Sequence, residues 1–238
     1  MTSECISGRA PSPQSEATKS RLARPRDAAS IMLLDRSDAR VRVLMGRRHS
    51  AHAFMPDLYV FPGGRRDPSD HRLAFAGDLH PAVLRSLRSV DGRAVTDARA
   101  RALALAALRE LYEEAGVRVG KPRLEPNAEL PFLPDLANLR YMARAITPPG
   151  YPRRFDTRFF AVFADEADID ASLILESREL QDLQWIDVNE FPPLQIPEIT
   201  ALILADLRSS LESDPSLPRE RSVPFYFTRR GRFVRTLL

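Results

Sequence analysis

Read for hydrophobic period, the chain switches between runs that alternate every second residue and runs that repeat every three to four. Ala28–Leu34 is a short apolar run, Asp35–Arg40 a polar turn and Val41–Met45 a second run, which together predict a strand hairpin. Leu58–Phe61 predicts a strand entering the Pro62-Gly63-Gly64 turn. Pro81–Leu87 sets Val83, Leu84 and Leu87 on one side of a short amphipathic helix that Asp91-Gly92 breaks. Ala98–Ala115 reads as a long, largely buried helix, with Thr96 or Asp97 to cap it and Gly116 to end it. Val117–Val119 opens a further strand, Leu133–Leu139 suggests a short helix, and Leu139–Ile146 is strand-like. After the Pro-rich loop Thr147–Pro152, Arg153–Phe163 is the strongest strand pattern in the chain. Phe155, Thr157, Phe159 and Ala161 face one way along it; Asp156, Arg158 and Phe160 face the other. Leu183–Ile186 predicts another strand, and Ile196–Leu211 a C-terminal helix with Leu202, Ile203 and Leu207 inward. Strands, a long helix, more strands and a last helix make an α+β protein.

The long helix carries its chemistry in its last turns. At about 100° per residue, Glu113 and Glu114 lie roughly 60° and 40° to either side of Glu110, while Leu108, Leu111, Tyr112 and Ala115 fall opposite. Like charges three and four residues apart cost an isolated helix about 0.2–0.5 kcal/mol per pair. Either this is a solvated acidic face or something cationic sits over it. Hard divalent cations such as Mg²⁺ take oxygen ligands of this kind.

Context favours the cation. Arg109 precedes the cluster, Ala115-Gly116 closes it, and Phe61-Pro62-Gly63-Gly64 lies upstream. This combination resembles the Nudix hydrolase family, whose box reads G-x5-E-x7-R-E-U-x-E-E-x-G-U with U aliphatic. Arg109 to Val117 matches the second half throughout. In the first half Asp70 stands where the family has Glu, and residues 71–108 replace its seven-residue spacer. A subset that includes a peroxisomal coenzyme A diphosphatase is similar in carrying a long insertion here. Arg154–Phe160 resembles the R-F-D-T-x-F-F strand of that subset, and Trp185 with Glu190 resembles the last strand and helix start of the fold.

The resemblance implies a Nudix-type α/β/α sandwich with a mixed sheet, and metal-dependent hydrolysis of a diphosphate joined to a further group. Glu110, Glu113 and Glu114 are then the expected Mg²⁺ or Mn²⁺ ligands. Arg109 orients a glutamate, Gly64 shapes the metal end of the helix, and Asp70 orients Arg109 or a ligand. The general base is Glu110, Glu114 or a loop residue, Glu176 or Glu179. Coenzyme A or its acyl esters come first as substrate. ADP-ribose or a nucleotide sugar comes second, and a non-catalytic nucleotide-binding regulator is the rival.

Further residues have two readings each. Arg47 and Arg48, ending a strand before the glycine turn, grip substrate phosphates or are surface charge. A coenzyme A-associated pattern, L-L-T-x-R-[SA]-x3-R-x3-G-x3-F-P-G-G, matches at Arg48 but finds Ala53 and Asp57 where it has its second Arg and its Gly. Gly63 and Gly64 allow a ligand close to the backbone. Arg158 pairs with Asp156 or with a phosphate. His71 and His80 lack a partner spacing for a metal. The insert, about residues 71–95, reads as a lid or a dimer surface, which leaves a homodimer as an expectation.

Composition bounds the rest. The 238 residues are 44% hydrophobic and 28% charged, as expected of one domain over 27–238 behind a tail at 1–26. A net charge of +3, with Lys19 and Lys121 the only lysines, is too mild to argue for nucleic acid. The basic, aromatic stretch 212–238, with Phe225, Tyr226 and Phe227 before Arg229 and Arg230, reads as a packed tail after the helix within 196–238, covering the core or edging a pocket. Cys5 is the only cysteine, which fits a cytoplasmic protein. No apolar run approaches the roughly 20 residues that span a bilayer, so no membrane partner is expected.

Overall fold

The computed structural model describes residues 23–49, 57–88, 95–125 and 128–238. Cys5, Ala53, the Asp91-Gly92 break and nearly all of the 1–26 tail lie outside them. Alternating and continuous apolar runs build a mixed sheet, as the pattern predicts. β1 (Arg26–Asp35) leads to β2 (Arg42–Arg48), antiparallel to it through Leu34↔Val43 and Asp35↔Arg42. β3 (Tyr59–Val60) pairs with β2. The glycine turn is itself a strand: β4 (Gly63–Arg65) runs antiparallel to the first half of β1.

α1 (Pro81–Arg88) and α2 (Asp97–Ala115) follow. The hydroxyl of Thr96 accepts from the Arg99 amide at 3.3 Å, and Gly116 ends α2 at φ 70°, as its capping residues predict. Val117–Val119, expected as a strand, leads into β5 (Gly120–Pro122) without joining it, although the Val119 carbonyl accepts from the Asp135 amide at 3.0 Å. No helix forms at Leu133–Leu139: a bridge at Asp135 and a turn follow Leu133 and Pro134, which belong to β6 (Phe132–Pro134), itself paired with β5. Its apolar residues are held by cross-strand partners rather than by a helical face.

β7 (Arg140–Ile146) and β8 (Phe155–Phe163) are antiparallel neighbours, and β8 lies parallel to β1 over nine residue pairs. β9 (Leu180–Asp187) pairs with β2. α3 spans Glu198–Ser213, so Glu190 does not start the helix; it pairs with Arg40 at 3.2 Å. The stretch expected as a packed tail is a second hairpin, β10 (Pro224–Arg229) and β11 (Arg232–Leu237), with β10 parallel to β7. Arg230 at φ 50° and Gly231 at φ 75° make the tight turn that suits the twist of such a pair.

The strand order β11-β10-β7-β8-β1-β2-β3 has an apolar core on each face. Ile31, Leu33, Phe160 and Val162 pack against α2 and α1; Met32, Leu34, Ala161 and Phe163 belong to the cluster that includes α3. The result is helix, mixed sheet, helix.

Among the described residues of the insertion, Leu79, Val83 and Leu87 are buried in the α2 cluster, and Asp78 accepts from Arg101 of α2 at 2.8 and 2.7 Å. Phe75 stays exposed. A four-charge cluster sits near the start of the sheet: Asp27 accepts from Arg99 at 2.8 and 2.9 Å and Arg66 at 3.2 Å, and Arg158 lies 3.4 Å away.

Candidate functional site

α2 turns Leu108, Leu111 and Ala115 into the core, which forces its polar residues toward β4 and the end of the sheet. β4 passes so close that a Cβ at either glycine would press on a neighbour. A Cβ on Gly64 would lie 2.6 Å from Oε2 of Glu110 and closer still to the carboxyl carbon. A Cβ on Gly63 would stand 2.6 Å from the Ala29 carbonyl oxygen and from Ser30 Cα. This proximity lets the Gly63 amide donate to Glu114 Oε2 at 2.7 Å.

Arg109 is the hub of the acidic turns. Its Nε donates to Asp70 Oδ1 at 2.9 Å, and its Nη1 donates to Glu110 Oε1 and Glu113 Oε2, both at 2.9 Å. Its Nη2 reaches the Arg65 carbonyl oxygen at 3.2 Å. Asp70 is fully buried and also accepts from the Asp67 amide at 2.6 Å. Burial alone would lower the Arg109 pKa; Asp70, Glu110 and Glu113 outweigh it and raise it.

Two carboxyls stand near neutrality. Burial lifts Glu110 to about 7 against the pull of Arg109. Burial lifts Glu114 to about 8 against the Gly63 hydrogen bond, with the Glu110 charge adding to the rise. Both line a cavity of about 430 Å³, together with Glu179, Arg48, Arg65, Arg153 and both glycines. Burial depresses the Arg48 pKa, and Glu114, Glu110 and Glu179 oppose that.

The cavity thus gathers Glu110, Glu114, Glu179, Arg48, Gly63 and Gly64 from the sequence-predicted set. Six others do not line it. Arg109 reaches it through Glu110, and Asp70 through Arg109. Glu113 is half exposed and shares Arg109 Nη1 with Glu110. Arg47 faces Asp57 at 3.7 Å and Asp182 at 3.9 Å. Arg158 is buried against Asp156 at 3.1 Å and Asp27, so its structural reading holds. Glu176 is exposed and lines no part of the cavity. Arg65, Arg153 and a run of aromatic residues are the lining groups that sequence reasoning missed. His71 and His80 are likewise not part of it.

The donor chemistry fits a hard divalent cation: carboxylate oxygens on one cavity wall, with burial opposing their charge. The arrangement of side chains is not that of a closed site. Among the described residues no group of three or more His, Cys, Asp or Glu side chains is disposed to hold an ion. Of the helical trio, Glu110 and Glu114 line the cavity and Glu113 does not, although Arg109 Nη1 holds both Glu110 and Glu113.

No family profile matches the chain. A Caenorhabditis elegans chain carrying the provisional name nudix hydrolase 7 is 29% identical over 208 residues, covering 74% of this chain. The match spans 60% of that relative's own length. The crystal structure of a NUDIX hydrolase from Alicyclobacillus acidocaldarius is 25% identical, with a TM-score of 0.57 over 81% of this chain and 93% of the other. With the Arg109–Val117 box on α2 and the sheet between helices, the chain has the Nudix fold and is similar to both of these proteins.

Proposed function

We propose that the protein hydrolyses the diphosphate linkage of a nucleoside diphosphate joined to a further group, with a divalent metal as cofactor. The observation that carries this is one cavity in which two buried carboxyls, Glu110 and Glu114, meet Glu179 and three arginines. A bound Mg²⁺ or Mn²⁺ would supply charge neutralisation on the diphosphate and a more acidic water. Glu110 and Glu114 are its ligands in this reading, and Glu179 is a third donor or the general base. Glu113, held on Arg109 Nη1 beside Glu110, is the third helical carboxylate in this reading. Arg109, fixed by Asp70, sets the position of Glu110; the Gly63 amide sets that of Glu114. Arg48, Arg65 and Arg153 supply positive charge for the phosphates. Water attacks phosphorus, a carboxylate takes its proton, and the bridging P–O bond breaks.

Coenzyme A and its acyl esters are the first substrates in this proposal. They carry an apolar arm beside the diphosphate, and the cavity has apolar walls beyond its carboxylates. Asp57 adds support: it stands where the coenzyme A-associated pattern has Gly, and its φ of 59° is a conformation glycine favours. ADP-ribose and nucleotide sugars are the second group. No helix among the described residues is long and apolar enough to cross a membrane, and a cytoplasmic location is part of the same reading. The test is product analysis on a panel with Mg²⁺ and with Mn²⁺. Release of 4′-phosphopantetheine identifies coenzyme A, and AMP with ribose 5-phosphate identifies ADP-ribose. Tight binding without turnover of any diphosphate would instead make the protein a nucleotide-binding regulator.

A further inference from the structure

Beyond the carboxylates the cavity continues between rings. Tyr151, Phe155, Phe159, Tyr226 and Phe233 line it, with Ile199 from the first turn of α3. Two of these rings come from the C-terminal hairpin, far from the box in sequence. Tyr226 stands opposite Arg235 and Phe233 opposite Thr228, so Tyr226 and Phe233 are diagonal neighbours on one face of the pair. Their rings stack with centroids 5.9 Å apart and planes 19° apart.

This wall is fixed from behind. The Tyr226 hydroxyl donates to Asp206 of α3, and Arg235 Nη2 donates to the same carboxylate at 2.9 Å. Tyr226 is buried, whereas Phe233 is only partly covered. Hairpin, α3 and the β7–β8 turn therefore present a preformed apolar slot. A half-covered ring in a rigid slot gains by contact with a flat or aliphatic group of a ligand.

We infer that the β10–β11 hairpin is the specificity wall of this cavity, and that Phe233, backed by Tyr226, holds the apolar group carried by the diphosphate. The inference rests on the reading of the cavity as a diphosphate site, and it adds which part of the chain selects among diphosphates. The group held is either the base or the acyl-pantetheine arm, since both offer the apolar surface the slot lacks. Phe233 touches no group assigned to the chemistry, so its loss should fall on binding rather than on turnover.

The test is equilibrium binding to the full chain in EDTA, by calorimetry, with coenzyme A, ADP-ribose and inorganic pyrophosphate as probes. Phe233→Ala should weaken coenzyme A about tenfold, the scale of losing one ring contact, and leave pyrophosphate unchanged. A matching loss for ADP-ribose places the base in the slot; an unchanged ADP-ribose places the acyl-pantetheine arm there. Val234→Ala, on the opposite face of β11, should bind all three as the parent does. Phe233→Leu, which keeps apolar bulk without the flat ring, guards against a hairpin that fails to form and should weaken binding less than Phe233→Ala. The inference is overturned by an unchanged coenzyme A affinity in both Phe233 variants, by equal weakening of pyrophosphate, or by a parent chain that binds neither nucleotide. A parent that binds in EDTA but releases no product with metal rejects the hydrolytic reading and leaves the slot standing.

Discussion

The paired glycines of β4 separate a packing role from a chemical one, and replacing each by alanine should show it. At Gly64 the added methyl enters the space of the Glu110 carboxyl, 2.6 Å from Oε2. That group is the far end of a flexible side chain, and swinging it into a poorer rotamer costs about 0.5–1.5 kcal/mol. At Gly63 the methyl meets backbone, the Ala29 oxygen and Ser30 Cα at 2.6 Å, in two strands that cannot part without breaking β1–β4 pairing. Overpacking of that kind costs about 1–3 kcal/mol or more. The two substitutions should therefore diverge. Gly64→Ala should keep most of its stability but displace Glu110 from Arg109 and from the cavity. If the lost electrostatic stabilisation is roughly 2–4 kcal/mol, kcat falls about 30- to 1,000-fold. Gly63→Ala should show a clearly lower urea midpoint, with some loss of Glu114 positioning. The assays are urea unfolding followed by fluorescence, and steady-state hydrolysis across a metal titration. A Gly64→Ala protein with full kcat at parental metal concentrations would refute the placement of Glu110. Equal stability losses in the two variants would refute the steric argument.

Glu110→Gln and Glu114→Gln should each lower kcat by about 100-fold or more on the scale of losing a metal donor, whereas Glu113→Gln should lose much less; the reverse order in steady-state rates would restore the helical trio as the ligand set. Asp27→Asn removes the charge shared by Arg66, Arg99 and Arg158 and should cost about 3–5 kcal/mol, read as a shift in urea midpoint at pH 7; a parental midpoint would show the cluster to be idle. Burial raises the Asp27 pKa, but the hydrogen bond and charge of Arg99, with Arg158 and Arg66, lower it overall. Its contribution is thus present above the ordinary carboxylate range near 3.9 and lost as pH falls through the depressed folded value, so the parent and Asp27→Asn should converge in stability only in strong acid. Leu87→Ala in the insert should cost about 2–5 kcal/mol without changing substrate preference; a changed preference on the panel would bring the insert back to the cavity.

Much of the fold was legible because local rules and tertiary packing agree. The α2 boundaries follow from a hydroxyl that caps and a glycine that can take positive φ. The period-two run at β8 forms a central strand with its two faces in the two cores. The misses have local causes. Leu133–Leu139 carries apolar residues at a spacing that suits either a helix or a short strand, and the neighbouring β5 decides. The Arg230-Gly231 turn between aromatic and aliphatic runs is a hairpin signal, obscured by the arginines around it. The place of the insert was not legible because its apolar side fits equally a lid, a partner or the body of its own chain, and α1 packs on α2.

The sequence by itself determined the acidic end of α2, the arginine that precedes it and the glycine pair that must lie close by, since each depends on residue type and short spacing. It could not say which carboxylates share a cavity. Glu113 is as near Glu110 along the helix as Glu114 is, yet it does not line the cavity, while Glu179 arrives from 65 positions beyond Glu114. Nor could it join Phe233 to the same cavity. Helical periodicity fixes angles around one axis; only the packing of separate elements, driven by burial of their apolar faces, fixes which side chains from distant segments meet.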